Sequence, residues 1–106
     1  FIKSIALVRY MLNKKKIIEK LEKNKHKLAD FRVKKIALFG SYSKGNESSE
    51  SDLDFLVTFY EESFDNYMDL KFFLEQLFNH KVDLVVEKNL KSQLRYVKDE
   101  AIYAKV

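Results

Sequence analysis

Two short stretches of the sequence carry residues that could do chemistry together. Gly40 and Ser41 are followed by ten residues and then by Asp52 and Asp54, with one leucine between the two aspartates. Alternate side chains of a strand point to the same face, so both carboxylates project to one side, roughly 7 Å apart. Two carboxylates held this close either raise a pKa or recruit a cation. Oxygen-only ligands favour Mg²⁺ or Mn²⁺ over zinc, and we take Mg²⁺ as the default.

A third aspartate, Asp83, lies within the otherwise apolar segment VDLVV. Aspartate is a poor strand former and is costly to bury without a partner. If this strand pairs beside the one that carries Asp52 and Asp54, the three carboxylates can hold two cations. Asp83 could also accept a proton from an incoming hydroxyl. Two metal ions about 4 Å apart are a recurrent solution to phosphoryl and nucleotidyl transfer.

The turn that follows the first predicted strand suits a triphosphate. Gly40 lets the backbone approach a ligand closely, Ser41 offers a hydroxyl and an N–H, and Lys44 adds a cation. The spacing differs from the GxxxxGK[ST] of P-loop proteins and from the GxGxxG of dinucleotide-binding proteins. A lone DxD or a lone Gly-Ser is common in ordinary surface turns. Their combination with an aspartate inside a third strand favours a nucleotidyltransferase.

Three strands and three helices are predicted to position these residues. Short apolar segments bounded by turn residues indicate the strands, and apolar positions at spacings of three, four and seven indicate the helices. Asn13, Asp65 and Asn89 are the predicted helix caps. The order predicts one α/β sheet of three or four strands, flanked by helices. The predicted strands are Val33–Phe39, Leu53–Phe59 and Val82–Val86, and the predicted helices are Asn13–Ala29, Asn66–Phe78 and Asn89–Lys98.

Composition narrows the class of protein. The 106 residues suffice for one domain, there is no cysteine, and the apolar runs are far shorter than the roughly 20 residues that span a bilayer. We therefore expect a cytoplasmic protein without disulfides or a membrane partner.

Residues 1–35 hold 12 Lys and Arg against 3 Asp and Glu. We expect these lysines to form the solvated face of a helix rather than a nucleic-acid footprint. Residues 1–10 are expected to be a leader, non-native or disordered, before a single domain at 11–106.

The stretches GSYSKGNESSESDLDFLV and KVDLVV resemble the minimal nucleotidyltransferase (MNT) group of the DNA polymerase beta superfamily, whose signature is GS, ten residues and then DxD. The similarity extends from about Met11 to the C-terminus. The resemblance implies a polymerase-beta-like α/β (α+β) fold, with a small mixed sheet, and transfer of AMP from ATP with two Mg²⁺ ions. Members are usually encoded beside a HEPN-domain ribonuclease toxin. The MNT protein is the antitoxin, which adds AMP to a toxin tyrosine, so a hetero-oligomer with the toxin is expected.

The resemblance also assigns roles to six residues. Gly40 and Ser41 would bind the triphosphate, while Asp52 and Asp54 would ligate the metal ions. Asp83 would complete the metal site and help to deprotonate the acceptor hydroxyl. The family commonly has arginine where this chain has Lys44, and a lysine keeps the charge but loses the two-pronged phosphate grip. The catalytic and metal residues are thus Asp52, Asp54 and Asp83, and the nucleotide-binding residues are Gly40, Ser41 and Lys44.

Two alternatives to the function that the resemblance implies remain open. The protein could neutralise a HEPN toxin by binding, with no need for catalysis. It could also transfer nucleotides to RNA ends, which the basic N-terminal part would favour. The identity of the acceptor residue is implied only by the resemblance.

Overall fold

The computed structural model describes residues 12–45, 52–91 and 96–106. The expected leader and residues 46–51 of the loop before Asp52 lie outside the described residues. The elements, in chain order, are α1 (Lys14–Lys23), α2 (Lys25–Asp30), β1 (Val33–Phe39), α3 (Ser41–Lys44), β2 (Leu53–Phe59), α4 (Phe64–Phe78), β3 (Val82–Val86), a 3₁₀ turn (Glu87–Asn89), α5 (Tyr96–Glu100) and β4 (Ile102–Tyr103).

The four strands form one mixed sheet in the order β3-β2-β1-β4. β1 is antiparallel to both β2 and β4, whereas β2 and β3 are parallel. Helix α4 makes the crossover that parallel neighbours require. The predicted bounds of the three longer strands are confirmed, and so is the expected α/β class with a small mixed sheet flanked by helices.

Helices α1, α2 and α4 cover one face of the sheet. Their apolar rows pack against alternate residues of β1, β2 and β3, which therefore point into one core. Phe55 and Phe78 stack within it, with ring centroids 5.9 Å apart. The buried residues on the helices are Ile17, Leu21, Leu28, Leu70, Leu74 and Phe78, and those on the strands include Ile36, Leu38, Leu53, Phe55, Val57, Val82 and Leu84.

The N-terminal helical region is divided in two, where a single helix is predicted. Asn13 caps α1 as expected, since its side chain accepts a hydrogen bond from the Lys16 N–H at 3.0 Å. The helix ends at Asn24, whose side-chain amide donates to the Lys20 carbonyl at 2.8 Å. A side chain that bonds to the backbone of the preceding turn competes with helix continuation, which accounts for the break.

Helix α4 starts two residues earlier than predicted. Its cap is Ser63, whose hydroxyl accepts from the Asn66 N–H at 3.0 Å, and Asp65 lies in the first turn. Both residue types cap helices well, so the sequence alone does not choose between them. The helix ends at Asn79, which adopts the left-handed conformation at φ 50°.

The C-terminal segment differs most from the prediction. Asn89 ends a 3₁₀ turn instead of capping a helix, and the last helix is α5, at Tyr96–Glu100. Residues 92–95 of the predicted helix lie outside the described residues. The two-residue strand β4 was not predicted because a pair of residues is too short to show an alternating pattern.

Glu87 connects this C-terminal segment to the sheet. Its Oε1 accepts from the Tyr103 hydroxyl at 2.5 Å, while Oε2 accepts from Thr58 Oγ1 at 3.4 Å and lies 3.6 Å from Lys35 Nζ. Burial alone would raise the pKa of Glu87, but the Tyr103 hydrogen bond and the charges of Lys35 and Lys98 lower it overall. These contacts hold β4 against the rest of the sheet. In the part of the chain that the structure describes, no helix has the length and apolar character to cross a membrane.

Candidate active site

The parallel pairing of β2 and β3 places Asp54 directly opposite Asp83. Register partners on neighbouring strands point to the same face of a sheet. The residues on either side of each aspartate are buried on the helix-covered face, so both carboxylates point to the opposite face. Strand pairing therefore brings together two aspartates that lie far apart in the sequence. Asp54 is half-buried, whereas Asp83 is exposed.

Asp52 lies one residue before β2 and is exposed. Its negative charge still reaches Asp54. Burial, together with the charges of Asp83 and Asp52, raises the pKa of Asp54 to about 6 from its ordinary value of 3.8. The charges of the other two predicted metal ligands thus both act on Asp54.

The donor set of the predicted metal site consists of carboxylate oxygens, which suit a hard divalent cation. Among the residues described, no ion pair involves these three aspartates, so their charges repel each other without compensation. The same residues contain no group of three or more His, Cys, Asp or Glu side chains arranged to hold a metal ion. What the structure brings together is the Asp54 and Asp83 pair, with Asp52 within electrostatic reach. An excess of carboxylate charge on an all-oxygen surface is what Mg²⁺ neutralises.

The raised pKa of Asp54 predicts an unusual pH dependence of stability. The folded protein holds this proton more tightly than the unfolded chain, so the free energy of unfolding should fall as the pH rises from about 4 to about 6. The loss should be about 1 kcal/mol once solvent screening at this half-exposed site is allowed for. Urea unfolding in the presence of a chelator, at pH 4.5 and pH 7, measures it.

Asp54→Asn is the control for that measurement, because the amide does not titrate. Glu87 has the opposite trend, since its lowered pKa gives stability that is lost below its ordinary value of 4.5. Glu87 therefore contributes mainly below about pH 5, and the difference between the wild type and Asp54→Asn isolates Asp54. Equal slopes for the wild type and Asp54→Asn would contradict the prediction.

Gly40 forms the turn beside Asp54. Its φ of 74° and ψ of −150° belong to a region that is open to glycine alone. A Cβ at this position would overlap the Asp54 carboxylate and lie 3.0 Å from its Cγ. Gly40 therefore packs closely against Asp54, a predicted metal ligand, and its predicted approach to a triphosphate stays a prediction.

The predicted loop after Gly40 begins with one helical turn, α3. The Gly40 carbonyl accepts from the N–H groups of Ser43 and Lys44, each at 3.2 Å, and from Ser43 Oγ at 2.9 Å. We call residues 40–44 the GS turn. Ser41, its first helical residue, is half-buried. The turn is thus folded back on the Gly40 carbonyl and lies against the start of β2.

Lys44 closes the GS turn and pairs with Glu100 of α5, with Nζ 3.3 Å from Oε2. Both side chains are about half-exposed. Such a pair is worth little in stability, so it does not prevent Lys44 from exchanging Glu100 for a phosphate.

Sequence reasoning missed a contact between Tyr42 and His80. Tyr42 is 2% exposed and its hydroxyl lies 3.2 Å from His80 Nε2. The two rings meet edge to face, with centroids 5.9 Å apart. The two residues are 38 positions apart, and no local pattern signals such a contact.

A cleft of about 450 Å³ lies elsewhere, between the start of α4 and the end of β3. The residues that line it include Phe64, Tyr67 and Val86. None of the six predicted site residues is among the described residues that line it. The site formed by the β2–β3 register and the GS turn is therefore separate from this cleft.

Comparison with known proteins identifies the family. The nucleotidyltransferase domain family matches residues 12–105. The protein adenylyltransferase MntA of Thermococcus cleftensis is 38% identical, over 88% of this chain and 97% of the relative. A solved structure provisionally named a minimal nucleotidyltransferase has a TM-score of 0.68 and 32% identity, and the match covers 87% of this chain and 96% of that one.

A second solved structure is a toxin-antitoxin with AMP-PNP. It has a TM-score of 0.63 and 27% identity, and the match covers 87% of this chain and 72% of that chain. The resemblance drawn from the two motifs is thus confirmed, and so is the expected enzyme class. This chain belongs to the nucleotidyltransferase domain family and, within it, to the minimal nucleotidyltransferases.

Proposed function

We propose that this protein is a cytoplasmic antitoxin that transfers AMP from ATP to a tyrosine hydroxyl of a cognate HEPN toxin, in a reaction that needs Mg²⁺. The observation that carries the proposal is the register of β2 and β3. It sets Asp54 opposite Asp83 on one face, beside the glycine turn that follows β1. A chain with the same motifs but another register would not bring these groups together.

Asp52, Asp54 and Asp83 are the residues that would hold two Mg²⁺ ions. The ions would neutralise charge on the phosphates and stabilise the charge that develops at the α-phosphorus. Asp83, exposed on its strand, takes the proton from the acceptor hydroxyl. Asp54, which is half-buried and held between Gly40 and β3, keeps a fixed position during the reaction.

The GS turn would bind the triphosphate. Gly40, which has no Cβ, lets the turn pack directly against Asp54, so the triphosphate would lie beside the metal-binding carboxylates. Ser41 supplies a hydroxyl and a backbone N–H. Lys44 contributes a charge that is now shared with Glu100. The acceptor oxygen attacks the α-phosphorus in line, its proton passes to Asp83, and pyrophosphate leaves.

One experiment tests the proposal and separates it from its alternatives. The purified protein is incubated with its genomic neighbour of the HEPN class, bulk RNA, Mg²⁺ and ATP labelled at the α-phosphate. Intact mass then shows which species gains an adenylyl group, and peptide mapping locates it. A labelled tyrosine on the neighbour is the expected result.

Two other outcomes would overturn the proposal. Label on RNA in place of protein would make the chain an RNA nucleotidyltransferase. Neutralisation of the toxin by a variant with both Asp52→Asn and Asp54→Asn, with no label on any species, would make it an antitoxin that acts by contact. Retained binding of Mg²⁺ and ATP by the wild type serves as the positive control.

Lys44→Ala should raise the KM for ATP about tenfold, because a charge-assisted contact with phosphate is lost. The melting temperature should hardly change, since the exposed pair with Glu100 contributes little. Steady-state kinetics and thermal unfolding together measure both quantities.

Lys88→Ala is the matched control for Lys44→Ala. It removes another exposed ion pair, in which Lys88 Nζ lies 3.0 Å from Glu62 Oε1, and that pair lies away from the GS turn. An equal rise in KM for the two variants would indicate a general charge effect and would contradict a specific role for Lys44.

A further inference from the structure

The side chain of Tyr42 anchors the GS turn to the hydrophobic core. Tyr42 is the second residue of α3, and its ring is buried in the core under the sheet while its hydroxyl reaches His80. His80 belongs to the connection between α4 and β3, three residues before Asp83. The contact therefore links the GS turn to the segment before β3, in addition to the pairing of β1 with β2 and of β2 with β3.

The His80 end of the contact is itself fixed. The His80 N–H donates to the Glu75 carbonyl at 3.3 Å, and the Val82 N–H donates to Glu75 Oε2, also at 3.3 Å. Glu75 thus holds both the residue that meets Tyr42 and the first residue of β3. A shift of Tyr42 would be transmitted to the start of the strand that carries Asp83.

A histidine at position 80 would be unfavourable if its role were packing alone. Its Nδ1 is buried and has no hydrogen-bond partner among the described residues. An unpaired buried polar atom destabilises a protein, and an apolar side chain of similar size would avoid that cost. What the imidazole adds is the polar contact with the Tyr42 hydroxyl.

We infer that Tyr42 and His80 are positioning residues that hold the GS turn at a fixed distance from β3, and so set where the triphosphate lies relative to Asp83. The inference rests on the proposed function and adds a role for two residues that touch neither substrate nor metal. The turn is held by this contact on the core side and by the Gly40 approach to Asp54 on the other.

The test measures binding of a non-hydrolysable ATP analogue and, separately, of Mn²⁺ in the absence of nucleotide. Tyr42→Phe removes only the hydroxyl and should weaken binding of the analogue about tenfold, because the GS turn loses its part-buried contact with His80 and is no longer held in place for the triphosphate. Binding of Mn²⁺ alone should stay within about twofold, because the aspartates remain in place. In transfer assays, the KM for ATP should rise more than kcat falls.

Two variants of His80 separate positioning from simple stability. His80→Leu removes the contact and should behave as Tyr42→Phe does, and the double variant should be no worse than either single variant. His80→Gln carries an amide that can reach the Tyr42 hydroxyl and should restore most of the affinity.

Tyr103→Phe is the control, since it loses a hydroxyl bonded to Glu87, near Thr58 at the far end of β2. If Tyr42→Phe and Tyr103→Phe both lower the melting temperature and both bind the analogue as the wild type does, the contact serves stability only and the inference is overturned. A wild type that binds neither the analogue nor Mn²⁺ would overturn the proposed function, and the inference with it.

Discussion

Asp54→Asn should abolish AMP transfer while it makes the metal-free protein more stable at pH 7. The carboxylate is held beside Asp83 and partly out of water, and its raised pKa shows that the ionised form is disfavoured. An uncharged amide of the same shape removes that repulsion, which should stabilise the fold by about 1 kcal/mol after solvent screening. The same change removes a ligand of the proposed metal site, and the rate should fall by at least about a thousandfold.

The measurement pairs chemical unfolding in a chelator with the labelled-ATP assay. Asp69→Asn is the control, because Asp69 is an exposed aspartate of α4 that belongs to no predicted site. Its substitution should leave both quantities unchanged. A less stable Asp54→Asn variant would mean that the carboxylate is compensated in the folded protein, and retained transfer would remove Asp54 from the catalytic site.

Gly40→Ala is expected to have the second largest effect. The backbone conformation of Gly40 costs a non-glycine residue about 1–3 kcal/mol, and the new methyl group would overlap the Asp54 carboxylate. Stability should therefore fall by about 3 kcal/mol, and transfer should fall by at least about a hundredfold because the turn and the aspartate must both move.

Gly45→Ala provides a closely matched comparison. Gly45 also has a positive φ, 76°, but a Cβ there would have no heavy atom within 4 Å among the residues described. The substitution should cost about 1 kcal/mol for the left-handed conformation and should leave transfer within about twofold. If Gly45→Ala impaired transfer as severely as Gly40→Ala, backbone strain and not the contact with Asp54 would explain both effects.

The sequence predicted well the features that depend on local patterns. Each of the three longer strands is a short apolar segment with a glycine or a charged residue within two positions after its end, and the predicted bounds match the structure. The sequence also indicated that Asp83 has a special role, because a charged residue is unusual inside an apolar strand such as VDLVV. Only the pairing of strands, which is a tertiary property, shows that Asp83 is the register partner of Asp54.

The missed features depend on contacts between distant residues or on choices between equivalent local signals. Ser63 and Asp65 are both good caps, and the structure uses the first. The Tyr42 contact with His80 and the pairing of Lys44 with Glu100 join residues far apart in the chain. No periodicity carries such information, and a single sequence offers no other source for it.

The position of β3 at the margin of the described sheet bears on the size of the molecule that can be modified. An aspartate at the bottom of a deep cavity could meet only a small metabolite. Asp83 instead stands on the outermost strand, where a side chain of another folded protein can reach it without being unfolded first. Under the proposed function, this geometry lets the enzyme act on an intact macromolecule. Which macromolecules it modifies would then depend on how well their surfaces fit the surface around Asp83.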